Sequence, residues 1–127
     1  MGLVVTTERK QPGIYVLSPV GSIDTETHTI LSKEIFSVLS DSTKAIMFNM
    51  ENVTYISSMG LNVIFKTKKK LESNKGELIL INVPSQIRKV LDIVASLPSM
   101  TVFESIQEAD SYLMLIQQRE MDKKKLS

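Results

Sequence analysis

The stretch Asn49–Leu71, reading Asn-Met-Glu-Asn-Val-Thr-Tyr-Ile-Ser-Ser-Met-Gly-Leu-Asn-Val-Ile-Phe-Lys-Thr-Lys-Lys-Lys-Leu, constrains the chain more than any other. An apolar strand over Ala45–Met50 feeds a polar turn, and a helix begins at Ser57 or Ser58. Serine is a preferred N-cap, because its hydroxyl accepts a hydrogen bond from an otherwise free amide of the first helical turn. Gly60 lies just inside the helix, where the missing side chain lets another backbone come close. Leu61, Ile64, Phe65 and Leu71 recur at i, i+3, i+4 and i+10, a helical stripe with lysines opposite. The whole segment therefore reads as strand, turn and amphipathic helix.

Other elements can be placed around this one. Leu3–Arg9 reads as a strand, Pro12-Gly13 as a turn and Ile14–Val20 as the returning strand, ended by Gly21. Asp24 and Thr25 are candidate caps for a helix over Thr27–Leu39, with Leu31, Ile35, Val38 and Leu39 on its buried face. The helix from about Ser58 to Glu72 stops at Ser73-Asn74-Lys75-Gly76. Leu-Ile-Leu-Ile within Glu77–Val83 reads as a strand buried on both faces. Pro84-Ser85 opens a helix with Ile87, Val90, Leu91 and Val94 inward, since proline is tolerated in a first turn. Thr101–Glu104 reads as a short strand. Ser105 caps a last helix whose Ile106, Ala109, Leu113 and Ile116 face inward.

Strands alternating with helices after an antiparallel hairpin imply an α/β fold, a mixed sheet with about four helices packed on it. One domain is expected over residues 1–119, with a polar tail over 120–127 that frays. Asp24 and Ser58 both fall at strand-to-helix junctions, where ligands and partners of such sheets gather.

Composition narrows the chemistry. The net charge of +1 gives no sign of nucleic-acid binding. Zero cysteines remove thiol catalysis, disulfides and zinc-thiolate sites, and one histidine leaves little for a transition metal. No cofactor is expected. No apolar run approaches the ~20 residues of a membrane span, and the absence of cysteine suits the cytoplasm.

Ser57 and Ser58 are the candidate switch. Phosphorylation adds roughly −1.5 to −2 charges. At a helix N-terminus the chain tolerates that charge, gaining at most ~2 kcal/mol from free amides and the macrodipole. The modification should therefore act at an interface rather than on the fold, and Ser58→Asp should leave thermal stability nearly unchanged. This reading requires a solvent-facing hydroxyl. Met59, a flexible apolar side chain beside Ser58, suits a partner contact. Lys66, Lys68, Lys69 and Lys70 read as a solvated helix face or as a docking surface for an acidic partner. A serine hydrolase is the competing class. It would need His28 as its base, and Gly-x-Ser-x-Gly is absent.

At these residues the chain resembles the STAS-domain family, specifically the bacterial anti-sigma factor antagonists, from about Leu3 to Ile116. Gly21-Ser22-Ile23-Asp24 is similar to the family's Gly-x-Leu/Ile-Asp segment. Phe48–Ile56 resembles the strand and loop that lead to its phosphorylation motif. That motif typically reads Asp-Ser-Ser/Thr-Gly-Leu-Gly, and Ser57-Ser58-Met59-Gly60-Leu61-Asn62 occupies its place, with Ser57, Met59 and Asn62 as departures. The resemblance implies that Ser58 is the phosphoacceptor, with Ser57 as a second candidate. It further implies a partner surface of Asp24, Ser57, Ser58, Met59, Gly60 and Asn62. The implied partners are an anti-sigma factor with serine kinase activity, bound when Ser58 is unphosphorylated so that a sigma factor is released, and a serine phosphatase that resets the switch. The other reading is a STAS scaffold that is not phosphorylated, a subunit of a larger complex or of a lipid transporter. The oligomeric state is left open.

Overall fold

A two-residue turn at Pro12-Gly13 folds the first two strands against each other, and Gly13 supplies the positive φ (+83°) that the turn requires. Strand β1 (Val4–Gln11) pairs antiparallel with β2 (Ile14–Ile23). The computed structural model describes residues 2–96, 111, 114–115 and 117–123. Within them β2 is the axis of the sheet. Its first half, Ile14–Leu17, pairs parallel with β3 (Ala45–Asn49), and its last three residues, Gly21–Ile23, pair parallel with β4 (Val53–Ile56). Strand β5 (Glu77–Ile81) pairs parallel with β3, so the order is β1-β2-β3-β5 with β4 beside the far end of β2. Pro19, which has no amide hydrogen to give, sits where β2 changes parallel neighbour.

Helix α1 (His28–Val38) lies against β1 and β2, and α2 (Ser58–Ser73) against β4 and β5. The two helices also touch each other, and α3 (Ser85–Ser96) reaches β4. Leu17, Ile23, Leu31, Ile46, Met50 and Ile56 are fully buried between these layers, with Leu61, Ile64 and Leu71 from α2. The expected α/β architecture with a mixed sheet is present. Among the described residues it has five strands, three complete helices and a helical segment at 117–123. That segment carries helix into the part read as a fraying tail. No helix among the described residues is long and apolar enough to cross a membrane. The strand expected at Thr101–Glu104, the Ser105 cap and the inward residues Ile106, Ala109, Leu113 and Ile116 lie outside the described residues.

Four expectations change. Gly21 does not end β2; the strand runs through it to Ile23. Gly21 has φ +121° beside a register shift, the bulge position that glycine occupies most easily. Val53–Ile56, read as part of a turn, is a strand whose ends, Val53 and Ile56, are buried. Strand β5 is half-buried rather than covered on both faces, because it stands at one edge of the described sheet. Phe65 is 38% exposed, off the stripe that buries Leu61, Ile64 and Leu71.

Candidate functional site

Parallel pairing of Ile23 with Ile56 brings two strand-to-helix junctions side by side. The residue after Ile23 is Asp24, and those after Ile56 are Ser57 and Ser58, so the site residues that sequence placed at separate junctions share one end of the sheet. A backbone bond fastens them, with Ser57 N donating to Ile23 O at 2.8 Å.

Each side of this pair is built locally. Asp24 folds the approach to α1: its Oδ1 accepts from the amides of Glu26 and Thr27, each at 3.0 Å, and from the Thr27 hydroxyl, also at 3.0 Å. Thr27 Oγ1 also lies 2.7 Å from Ser22 O, and the helix starts directly after Thr27 rather than after Asp24 or Thr25. The Asp24 carboxylate thus organises the turn while remaining half-exposed. His28 directs Nδ1 at the carbonyl oxygen of Thr25, 2.9 Å away, and at that of Asp24, 3.3 Å away. Since carbonyls only accept, Nδ1 carries a proton there.

On the other side, Ser57 is the N-cap of α2. Its Oγ accepts from Gly60 N at 3.3 Å, and its extended backbone turns the chain from strand to helix. Of the two serines offered as helix start, Ser57 therefore caps and Ser58 is the first helical residue. Gly60 performs the close approach expected of it. A Cβ there would stand 2.7 Å from Ile23 Cγ2, 2.9 Å from Ile56 Cγ1 and 3.0 Å from Ile23 O. Glycine is what allows α2 to seat on the end of β2.

The accessibility of Ser58 differs from expectation. The residue is 8% exposed, and its Oγ shows less than 1 Å² to solvent. Ser57 is 2% exposed. The hydroxyl expected to face solvent is buried in this conformation, because the Ser57–Ile23 bond and the Gly60 contact draw the first turn of α2 down onto β2. A second brace acts from far along the chain. The Gln117 side chain, 2% exposed, accepts from Ile56 N and donates to Ile56 O, both at 3.0 Å. It closes the edge of β4 as a neighbouring strand would. Sequence inspection missed Gln117. A glutamine within a helical segment gives no signal of a partner 61 residues away.

Met59 and Asn62 lead from this turn into a groove of about 420 Å³ between α1 and α2. Met59 is half-buried and Asn62 exposed. Lys66, Lys68, Lys69 and Lys70 are all exposed along α2.

A hairpin-opened mixed sheet whose fourth strand delivers a serine-capped helix, with the candidate site where that junction pairs with the one after the second strand, defines a small α/β module. The model of the STAS domain matches residues 7–109, and the chain belongs to that family. It is similar to the anti-sigma-B factor antagonist of Staphylococcus aureus, 29% identical over 107 residues that cover 84% of this chain and 96% of that one. In fold it matches the Bacillus cell fate determinant SpoIIAA, solved in its phosphorylated form. The TM-score is 0.61 at 21% identity, over 71% of this chain and 82% of that one. An anti-sigma factor antagonist from Mycobacterium paratuberculosis gives 0.59 at 21% identity, over 89% of this chain and 95% of its own.

Proposed function

We propose that this chain is a cytoplasmic, non-catalytic partner switch of the anti-sigma factor antagonist kind. It binds an anti-sigma factor that is also a serine kinase, and so releases a sigma factor. The observation that carries this reading is the register of the Ser57–Asn62 segment at the start of α2, beside Asp24, in a domain whose S. aureus relative is named an anti-sigma-B factor antagonist.

Ser58 is the acceptor in this scheme, since Ser57 uses its hydroxyl on the helix cap. A phosphate on Ser58 would meet the free amides and positive end of α2. A hundredfold loss of partner affinity requires about 2.7 kcal/mol, and desolvating a dianion in an interface exceeds that. Burial of Ser58 Oγ adds a step: the first turn of α2 must lift before the kinase reaches the oxygen. A serine phosphatase then resets the switch.

The same burial favours a second reading, a STAS scaffold that is never phosphorylated and holds partners constitutively. Incubation with ATP and a candidate anti-sigma kinase, followed by intact-mass measurement, separates the two. One added phosphate that Ser58→Ala abolishes and Ser57→Ala preserves is the expected result. An unmodified mass with a kinase that demonstrably binds would establish the scaffold.

A further inference from the structure

The groove between α1 and α2 is long rather than round. Its lining runs from His28 along α1 to Leu39 just past its end, and from Met59 to Lys70 on α2. At 1.5 Å per residue each side is roughly 16 Å, about three helical turns. Ile35, Leu39, Met59 and Val63 form its apolar lining, while Phe36, 74% exposed, stands at its edge. A phenylalanine so open at the edge of an apolar groove extends it into a surface built to be covered.

Charge selects what covers it. Among the described residues no aspartate or glutamate lines the groove, whereas Lys66 and Lys70 do, and neither of these is ion-paired there. The two lysines are one helical turn apart, roughly 6 Å along the axis, the spacing of residues i and i+4 on a facing helix. We infer that the α1–α2 groove docks an acidic amphipathic helix of a partner protein, its apolar face on Phe36 and Val63 and its carboxylates on Lys66 and Lys70. Three turns of groove fit such a helix, and the i, i+4 cations set its orientation. The inference rests on this face being the docking surface, since Met59 and Asn62 belong to both, but not on Ser58 being phosphorylated.

Two synthetic helical peptides of about fourteen residues test it, identical on the apolar face and carrying either Glu or Lys on the flanks. Each is titrated into the ¹⁵N-labelled full chain at low salt, with decanoate as a small-amphiphile comparison. The Glu peptide should shift amides of α1 and α2 along the groove and bind at least tenfold tighter than the Lys peptide, about 1.4 kcal/mol. The double variant Lys66→Glu/Lys70→Glu should invert that preference, Phe36→Ser should weaken both peptides, and Gly2→Ala, away from the groove, should change neither. Equal affinity of the two peptides, shifts outside the groove, or a groove that takes decanoate while the Glu peptide is inert would overturn the inference. So would a concentration-dependent dimer that Lys66→Glu dissolves, since a second copy would then be the occupant. Loss of phosphorylation with peptide binding intact would count against the switch alone.

Discussion

Replacing Gln117 with leucine removes both hydrogen bonds to Ile56 while leaving a side chain of similar reach. The amide of Gln117 is buried and serves one backbone donor and one acceptor, each at 3.0 Å. Leaving a buried backbone group without its partner costs about 1–3 kcal/mol, so the two together set a range of about 2–6 kcal/mol. The upper end is out of reach, because the helical segment can lift and let water serve Ile56. The observed loss is then limited to the free energy of docking that segment. About 2–3 kcal/mol is the expected destabilisation in a urea titration. Amide hydrogen exchange locates it: Ile56 should exchange far faster in Gln117→Leu, while Ile46 and Met47 in β3 speed up only by as much as global stability falls. Gln117→Glu is a sharper variant, since it keeps shape and one acceptor but loses the donor and adds a buried charge. It should cost at least as much as leucine. Unchanged exchange at Ile56, or a loss below about 0.5 kcal/mol in both variants, would show that the 117–123 helix does not brace β4.

Gly60→Ala should destabilise by up to about 2 kcal/mol: overpacking against Ile23 and Ile56 costs about 1–3, partly offset by roughly 1 from alanine's helix preference. Gly2→Ala, with nothing within 4 Å of the added carbon, is the neutral control in the same thermal melt. Ser57→Ala should cost about 0.5–1 kcal/mol by urea unfolding, the loss of a long N-cap bond. Ser58→Asp, expected from sequence to be silent, should instead lower stability by about 1–3 kcal/mol, because the carboxylate replaces an oxygen with less than 1 Å² of exposure. An unchanged melting temperature would mean that the turn opens freely in solution.

Sequence made the scaffold legible where local chemistry decides it. The Pro12-Gly13 hairpin, the serine cap and the close approach at Gly60 each follow from one residue type in one backbone position. Asp24 and Ser58 could be placed at junctions, but their adjacency depends on β4 lying beside β2, and β4 was hidden in Val-Thr-Tyr-Ile. Four residues, of which two are buried, give too short an alternation to stand out from the polar turn before them. The exposure of Phe65 and the half-burial of β5 depend on strand order and helix seating, which no local pattern records. Burial of Ser58 depends on bonds to Ile23 and a brace from Gln117. Contacts of that separation in sequence leave no periodic trace.

The double duty of β2 makes it a ruler. Leu17 is matched to Phe48 on one neighbour and Ile23 to Ile56 on the other, with Pro19 between. One residue inserted or deleted in that interval would turn Ile23 out of the interior and uncouple both helix starts from the main sheet. Length variation should therefore be confined to places such as Ser40–Ser42, while the six-residue step from Leu17 to Ile23 stays fixed in any working version of this domain.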